Sequence, residues 1–198
     1  IRFKELLPIF SNYKHTKVLD VGCGRGEIVY FFAKQGLDSY GIDYSHDAIK
    51  LANTLKKKKD KSVQQNMHFL KMDAKKLEFP NAFFSTIILT DVVEHLYPEE
   101  LEIVFKELHR VLAKKGVIIV HTAPNKFFND IGYKYYSYPL STLIVKLWNV
   151  IFNKQYPNIA HPKTLRTDSH AIMHINEPTY FSLKKIYKNS RFKDKTFS

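Results

Sequence analysis

The stretch at residues 17–26, KVLDVGCGRG, decides how the chain folds. Its first half is apolar and β-favouring except for Asp20, which predicts a short buried strand with one carboxylate near its carboxyl end. Residues 27–35 then predict a helix. Between them, glycines occupy three alternate positions: Gly22, Gly24 and Gly26. This order predicts a ligand site, because glycines let a ligand lie against the backbone and open α/β sheets bind ligands at the carboxyl ends of strands.

The glycine turn is a poor match for a dinucleotide. The G-x-G-x-x-G fingerprint needs a small residue five positions after the first glycine, and Glu27 occupies that position. Its carboxylate would face a pyrophosphate, which disfavours a nicotinamide oxidoreductase. The pattern D-x-G-x-G-x-G resembles motif I of the class I S-adenosylmethionine-dependent methyltransferases, whose cofactor is cationic. A glycine turn that only packs a helix on a sheet is the alternative.

Strand and helix patterns alternate through the first 123 residues. We expect further strands at 39–43, 67–72, 84–90 and 117–121. Helices are expected at 2–10, after the N-cap Ser45, at 98–115 before a stop at Gly116, and at 177–189. Alternation at this spacing implies an α/β Rossmann-like, doubly wound, mostly parallel sheet with helices on both faces.

Two further acids follow predicted strands. Asp43 lies 21 residues after Gly22, where nucleotide-binding α/β folds place a carboxylate on the ribose hydroxyls. Asp73 follows the third strand, and in the resembling family an acid at this place contacts the adenine amino group. Each could instead be an ordinary loop acid.

The resemblance extends over residues 14–125 and is closest to the ubiquinone- and menaquinone-type methyltransferases, the type 11-like group. It is carried by VLDVGCGRGE, YGIDYS, MDAKKLEF, IILTDVVEHL and FKELHRVLAKKGVIIVHTAPN. It implies S-adenosylmethionine as cofactor and S-adenosylhomocysteine as product. The expected cofactor-binding residues are Asp20, Gly22, Cys23, Gly24, Gly26, Asp43, Tyr44, Asp73, Ala74 and Thr90.

The segment after the fourth strand, Asp91-Val92-Val93-Glu94-His95, is expected where acceptor and cofactor meet. Asp91 and Glu94 would lie on one side of a helical turn. His95 is the candidate general base, since imidazole titrates near neutral pH, and Glu94 is the second candidate catalytic residue. The alternative is a capping and hydrogen-bonding set.

The same segment resembles the metal-binding stretch of quinone O-methyltransferases and of small-RNA 3′-terminal ribose methyltransferases. His170 and His174 could then supply further ligands. We expect no metal, because the Glu-His pair also occurs in relatives that have none. Cys23 reads as a small packing residue.

Residues 124–176 are predicted to form an aromatic, basic cap over the acceptor side, because they are too long for a plain connection. Within it, residues 140–152 are strongly apolar. They could be a helix buried against the core or a partner subunit, the wall of a pocket for an apolar acceptor, or an interfacial membrane helix. The first alternative allows a homodimer through this helix, and the last allows peripheral contact with a membrane.

The net charge of +12 argues weakly for nucleic acid, since only 5 of the 31 basic residues are arginine. Residues 124–198 carry net +8, from 12 basic and 4 acidic side chains. The single cysteine fits a reducing, cytoplasmic setting, and no apolar run is long enough to span a membrane. The chain starts without methionine and supplies part of one strand after residue 190, so we expect a truncated chain with residues 177–198 returning to the core fold.

The sequence therefore predicts a methyltransferase with a core at residues 1–123. Its expected acceptor is a hydroxyl of a small or lipid-like molecule, anionic or glycan-linked. A metal-assisted RNA ribose 2′-O-methyltransferase and a non-catalytic S-adenosylmethionine-binding scaffold are the alternatives.

Overall fold

A computed structural model describes residues 16–122, 128–162, 176 and 179–190. Five parallel strands form one sheet in the order β3-β2-β1-β4-β5. They are β1 (Lys17–Val21), β2 (Asp38–Asp43), β3 (Met67–Lys71), β4 (Phe84–Thr90) and β5 (Leu112–His121). The predicted Rossmann-like α/β class is confirmed, and the four strands expected after the glycine turn all form.

Six α-helices join and follow the strands in the described part of the chain. They are α1 (Glu27–Lys34), α2 (His46–Lys57), α3 (Lys61–Gln64), α4 (Pro98–Val111), α5 (Tyr138–Phe152) and α6 (Tyr180–Asn189). The Ser45 hydroxyl caps α2 by accepting from the Ala48 N–H at 3.3 Å, as its position predicts. A 3-10 helix (Val93–His95) follows β4, and a π-helix (Phe128–Ser137) precedes α5.

The core lies on both faces of β1 and β4. On one face, α4 buries Leu101, Val104, Phe105, Leu108 and Val111 against the sheet. On the other, Phe32 of α1 packs with Val18, Ile88 and Ile119. Helices on both faces of a parallel sheet leave only the strand ends open, which fixes where a ligand can reach the sheet.

The boundary between α4 and β5 differs from the expectation. The helix ends at Val111 and the strand begins at Leu112, so Gly116 is not the helix stop. Leu112 already pairs with Phe84, and an irregularity precedes the pairing of Val117 with Thr86. A Cβ at Gly116 would lie 2.7 Å from Leu112 Cδ1, so the glycine allows this irregular stretch to pack closely.

Arg110, near the end of α4, organises the connection between β3 and β4. Its guanidinium donates to the carbonyls of Leu77 and Phe79 at 2.7 and 2.8 Å. It also makes a two-point contact with Glu107, at 2.9 and 2.8 Å. The Glu107 carboxylate accepts in turn from the Leu77 N–H at 2.9 Å. This network holds a loop without regular structure over the core.

The predicted helix at 140–152 is α5, which begins at Tyr138. The interpretation of α5 as buried against the core is not confirmed, because none of its residues is buried in the part of the chain that the structure describes. The helix expected at 177–189 is α6, which begins at Tyr180 after the N-cap Thr179. The expected helix at 2–10, His170, His174 and the partial strand after residue 190 lie outside the described residues.

Candidate active site

The site lies at the edge of the sheet where the strands end. The strand order reverses between β1 and β4, because β2 and β3 follow on one side and β5 on the other. The crevice at such a reversal is where open α/β sheets bind ligands. The parallel sheet thus brings together residues that are far apart in sequence: Asp20, Asp43, Asp73, Thr90 and His121.

The Asp43 carboxylate at the end of β2 is held in place by two backbone groups. The Gly24 N–H donates to Oδ2 at 3.0 Å, and the Ser45 N–H donates to Oδ1 at 2.9 Å. The carboxylate is half-buried, and each oxygen keeps acceptor capacity for a further donor. This geometry suits the vicinal diol of a ribose, which needs two acceptors side by side.

The glycine turn is open at one residue and packed at another. A Cβ on Gly24, which has φ +51°, would meet no described atom within 4 Å. A Cβ on Gly26, which has φ +81°, would lie 2.6 Å from Cε1 of Phe69. Gly26 therefore packs closely, as does Gly22, where a Cβ would lie 2.6 Å from Cγ2 of Val92, while Gly24 leaves space beside Asp43. The turn is fixed to β2, because the Gly22 and Cys23 N–H groups both donate to the Ile42 carbonyl.

Asp20 is a buried carboxyl within β1, with 2% of its surface exposed. No described residue makes a hydrogen bond to its Oδ1. Burial, reinforced by the nearby charge of Asp43, raises the pKa of Asp20 well above its ordinary value. A buried oxygen without a partner, next to a second carboxylate, fits a cationic ligand and opposes a pyrophosphate.

Cys23 lies inside the turn and is buried. Burial, with the charges of Asp20 and Asp43, raises the pKa of its thiol. The thiol is therefore protonated at neutral pH and a poor nucleophile. This fits the packing role inferred from the sequence.

The remaining predicted cofactor residues differ in exposure. Asp73 is exposed just after β3, where its carboxylate accepts from the Lys75 N–H at 2.9 Å and lies 3.7 Å from Lys75 Nζ. Tyr44 is 80% exposed, whereas Ala74 packs against the core. Thr90 is half-buried at the end of β4 and pairs with His121 of β5. Of these residues, Asp73 presents a carboxylate to solvent at the strand edge, as an adenine contact would require.

At the ends of β4 and β5, an imidazole and a carboxylate form a pair. Nδ1 of His121 lies 3.1 Å from Oδ1 of Asp91, and the Asp91 N–H donates to the His121 carbonyl at 3.1 Å. Asp91 has φ +55°, a left-handed conformation that Asp tolerates and that is common at functional sites. If Nδ1 carries the proton, Nε2 has a free lone pair and can accept a proton.

Glu94 has a different environment from Asp91. It is 1% exposed, and its Oε2 accepts from the Thr122 hydroxyl at 3.0 Å. Its carbonyl accepts from the Asn176 N–H at 3.0 Å. The two acids do not share one helical turn, because the 3-10 helix starts at Val93, after Asp91. Glu94 therefore ties the end of β5 to the 3-10 helix, and His95 is exposed at the end of that helix.

Within the described residues, no group of three or more His, Cys, Asp or Glu side chains could hold a metal ion. The predicted extra ligands, His170 and His174, are not among the described residues.

The comparisons with known proteins identify the family of the chain. A family model described as "Methyltransferase domain" matches residues 19–120, just over half of the chain. The chain belongs to the class I S-adenosylmethionine-dependent methyltransferase family.

Curated relatives of the chain differ in the acceptors that their names specify. The eEF1A lysine and N-terminal methyltransferase of Mus musculus is 31% identical over 59% of this chain and 17% of its own length. The phosphatidylethanolamine N-methyltransferase of Cereibacter sphaeroides is 32% identical over 61% and 56%. The ubiquinone biosynthesis O-methyltransferase of Pelagibacter ubique is 29% identical over 55% and 42%. The chain thus spans from about a sixth to about half the length of these relatives.

Two solved structures resemble the chain. The PH0226 protein of Pyrococcus horikoshii OT3 is 32% identical, with a TM-score of 0.59 over 67% of this chain and 62% of its own. A methyltransferase from Methanosarcina mazei is 23% identical, with a TM-score of 0.66 over 94% and 84%. At 23% identity, the similarity to the Methanosarcina mazei structure shows the fold alone. It extends beyond residues 19–120, which the family model matches.

The sequence analysis did not single out His121 and Thr122, which the structure places in contact with Asp91 and Glu94. It places His121 in the fifth strand, and the signal that could have found it is its position at the end of that strand. A polar residue there faces the same edge as Asp43. Its partner Asp91 is 30 residues away, so the pairing depends on strand order rather than on a local motif.

Proposed function

We propose that the chain binds S-adenosylmethionine at the reversal between β1 and β4 and transfers its methyl group to an oxygen of a small or lipid-like acceptor. The observation that carries the proposal is the pair of carboxylates, Asp20 and Asp43, beside the space at Gly24. The sulfonium of the bound cofactor supplies the methyl group and leaves as a thioether.

The three acids among the predicted cofactor residues each have an assigned role in this proposal. Asp20 provides a buried carboxyl whose ionised form the cationic methionine part would stabilise, and Asp43 accepts from the two ribose hydroxyls. Asp73 is assigned to the adenine amino group. Holding the cofactor at these three points orients the methyl group for in-line attack, and such positioning supplies much of the rate acceleration.

An oxygen acceptor has to lose a proton as the new bond to carbon forms. The sequence favours His95 as the base, with Glu94 beside it. The pairing of His121 with Asp91 supports a second candidate, because a carboxylate that fixes an imidazole leaves its other nitrogen ready to accept. We assign the proton to His121 Nε2 and a structural role to Glu94.

N-methylation of an amine is the second candidate reaction. It is favoured by the relatives whose names specify nitrogen acceptors, the phosphatidylethanolamine N-methyltransferase among them. An ammonium group also has to lose a proton before it can attack, so the same imidazole would be used. The ubiquinone biosynthesis relative supports the oxygen acceptor.

The RNA ribose alternative would need a metal and an arginine-rich surface. Only five arginines occur in the sequence, and the described residues form no metal cluster. A non-catalytic scaffold would bind the cofactor without turnover.

The test has two steps. Calorimetric titration with S-adenosylhomocysteine should show one site, and an absence of heat would contradict the whole proposal. Release of S-adenosylhomocysteine is then followed with hydroxylated aromatic acceptors and, separately, with phosphoethanolamine and phosphatidylethanolamine. Turnover with amines alone would replace the oxygen acceptor by the nitrogen one, and binding without any turnover would favour the scaffold.

A further inference from the structure

The helix α5 presents its apolar residues outward. Eight of its exposed side chains are large and apolar, each with between 49% and 80% of its surface accessible: Leu140, Leu143, Ile144, Leu147, Trp148, Val150, Ile151 and Phe152. At 3.6 residues per turn, these positions cover about half of the helix circumference. A globular helix normally turns such a face toward the core, so this face is built to contact something else.

The opposite face of α5 is polar and already has a partner within the chain. The Asn149 side chain donates to the Tyr156 carbonyl at 3.2 Å and accepts from its N–H at 2.9 Å. Tyr133 donates to the Ala160 carbonyl at 2.7 Å, and the ring of Tyr138 packs on that of His161 at 5.2 Å. The segment at 154–162 thus folds back along the polar side of α5 and leaves the apolar side outward.

The charge around this face has one sign. Residues 131–162 contain no aspartate or glutamate and three exposed lysines, Lys134, Lys146 and Lys154. Lys146 lies at the flank of the apolar stripe, where its stem can lie along an apolar surface while the ammonium stays outside. The exposed rings of Trp148 and Phe152 pack together, with their centroids 4.4 Å apart. Apolar and aromatic side chains beside lysine are typical of helices that lie between lipid headgroups and acyl chains.

A second copy of the chain suits this face poorly. In a symmetric dimer the same surface meets itself, so Lys146 at its flank would lie near its own copy, and residues 131–162 contain no acid to pair with it. An anionic lipid surface provides the missing negative charge and takes up the apolar side chains. No helix among the described residues is long and apolar enough to cross a membrane.

We propose that the outward face of α5 docks the protein on an anionic membrane surface, with the helix in the plane of the interface. Docking needs neither the cofactor nor turnover, so it does not depend on the proposed methyl transfer. It would place the cap beside a lipid-like acceptor.

Trp148 is the only tryptophan in the sequence, so its fluorescence reports directly on α5. The full chain is titrated with phosphatidylcholine vesicles that contain about 30 mol% phosphatidylglycerol. Binding should shift the Trp148 emission to shorter wavelength, and brominated acyl chains should quench that emission. Pure phosphatidylcholine should bind more weakly. Co-sedimentation with the same vesicles gives the partition coefficient.

Two variants and two matched controls test the contributions of the apolar side chains and of the lysine charges to vesicle binding. L147Q with I151Q should lower the partition coefficient by about tenfold or more for each side chain. K146Q with K154Q should lower it by about fivefold for each charge, on anionic vesicles only. The controls change exposed residues of α2 and its C-cap, L51Q for the apolar pair and K57Q with K58Q for the lysines, and should leave binding unchanged.

An unchanged Trp148 spectrum with anionic vesicles would overturn the proposal. So would a dimer in light scattering that L147Q with I151Q converts to a monomer, together with no vesicle binding. Calorimetry with S-adenosylhomocysteine on the same samples should be unaffected by these variants, which separates a failure of docking from a failure of the cofactor site.

Discussion

The Asp43 carboxylate at the end of β2 accepts a hydrogen bond from the Gly24 backbone N–H at 3.0 Å, across the gap between two neighbouring strands. The bond joins the glycine turn after β1 to the acid after β2, 19 residues later. The two parts of the proposed cofactor site are therefore held in one geometry before any ligand binds. Such preorganisation favours affinity, because little order remains to be gained on binding.

The first prediction concerns this carboxylate. Asp43→Ala should weaken S-adenosylhomocysteine binding by about 100-fold, since two charge-assisted hydrogen bonds to a ribose are each worth about 1.5 kcal/mol or more. Calorimetry measures the change. Asp38→Ala is the matched control, because Asp38 begins the same strand and contacts Lys17 and His68 away from the site. Equal loss of affinity in both variants would point to a damaged strand and contradict the ribose role.

The second prediction separates stability from binding at Asp20. Because burial raises the pKa of Asp20 in the folded protein, its contribution to stability is complete below the unfolded value, near 3.8, and is lost as pH rises through the raised value. Asp20→Asn should therefore raise the melting temperature of the ligand-free protein above neutral pH by a few degrees, roughly 1 kcal/mol, and flatten its pH dependence. It should also weaken S-adenosylhomocysteine binding.

Thermal unfolding with and without ligand, from pH 5 to 9 (roughly the range in which proteins are most stable), measures both effects. A variant that is less stable than the wild type at every pH would show that the Asp20 carboxylate is satisfied in the free protein. Retained affinity would exclude it from the cofactor site.

The third prediction decides between two imidazoles. His121→Gln should lower kcat by about 100-fold, because general-base catalysis typically contributes at least that factor. His95→Gln should change kcat by about twofold or less. S-adenosylhomocysteine affinity, measured in parallel, should stay unchanged in both variants. A larger loss of kcat in His95→Gln than in His121→Gln would instead identify His95 as the base.

Asp91 acts through His121, so it is a positioning residue. Asp91→Asn should reduce kcat less than His121→Gln, by about tenfold, with KM nearly constant. In the double variant the Asp91 change should add almost nothing, because residues that work as one unit are not additive. If the two losses of kcat were fully additive, Asp91 and His121, whose Oδ1 and Nδ1 lie 3.1 Å apart, would have no common function.

The fourth prediction concerns the loop over the core. Arg110→Ala should lower the free energy of unfolding by about 2 kcal/mol, because the Leu77 and Phe79 carbonyls lose their donor and Glu107 loses its partner. Lys106→Ala, at an exposed position of the same helix, should have almost no effect. Urea unfolding measures both.

The same network predicts an acid-sensitive component of stability. The hydrogen bond from Arg110 lowers the pKa of Glu107 below its ordinary value of 4.5. Its contribution is therefore present above pH 4.5 and is lost as pH falls through the lowered value. The stability difference between wild type and Glu107→Gln should shrink at acidic pH, and a difference that stays constant would contradict this account.

Local patterns in the sequence were enough to predict the central architecture. The apolar run with Asp20, the glycines at alternate positions and the 3.6-residue period after Pro98 depend on backbone preferences and side-chain spacing within one element. Parallel strands must then end at one edge, so Asp43 and Asp73 could be placed there from sequence alone. The motif also disfavoured a pyrophosphate ligand through Glu27.

The tertiary structure decided what depends on contacts between distant elements. Asp91 pairs with His121 because β4 and β5 are neighbours, and the buried Glu94 accepts hydrogen bonds from Thr122 and Asn176, which are distant in sequence. Leu112 leaves the helix because it can pair with Phe84. The apolar run of α5 is typical of a core helix. In the structure, segment 154–162 packs on the polar side of α5, and the apolar side is exposed. Periodicity shows which residues share a face, whereas only packing shows what that face meets.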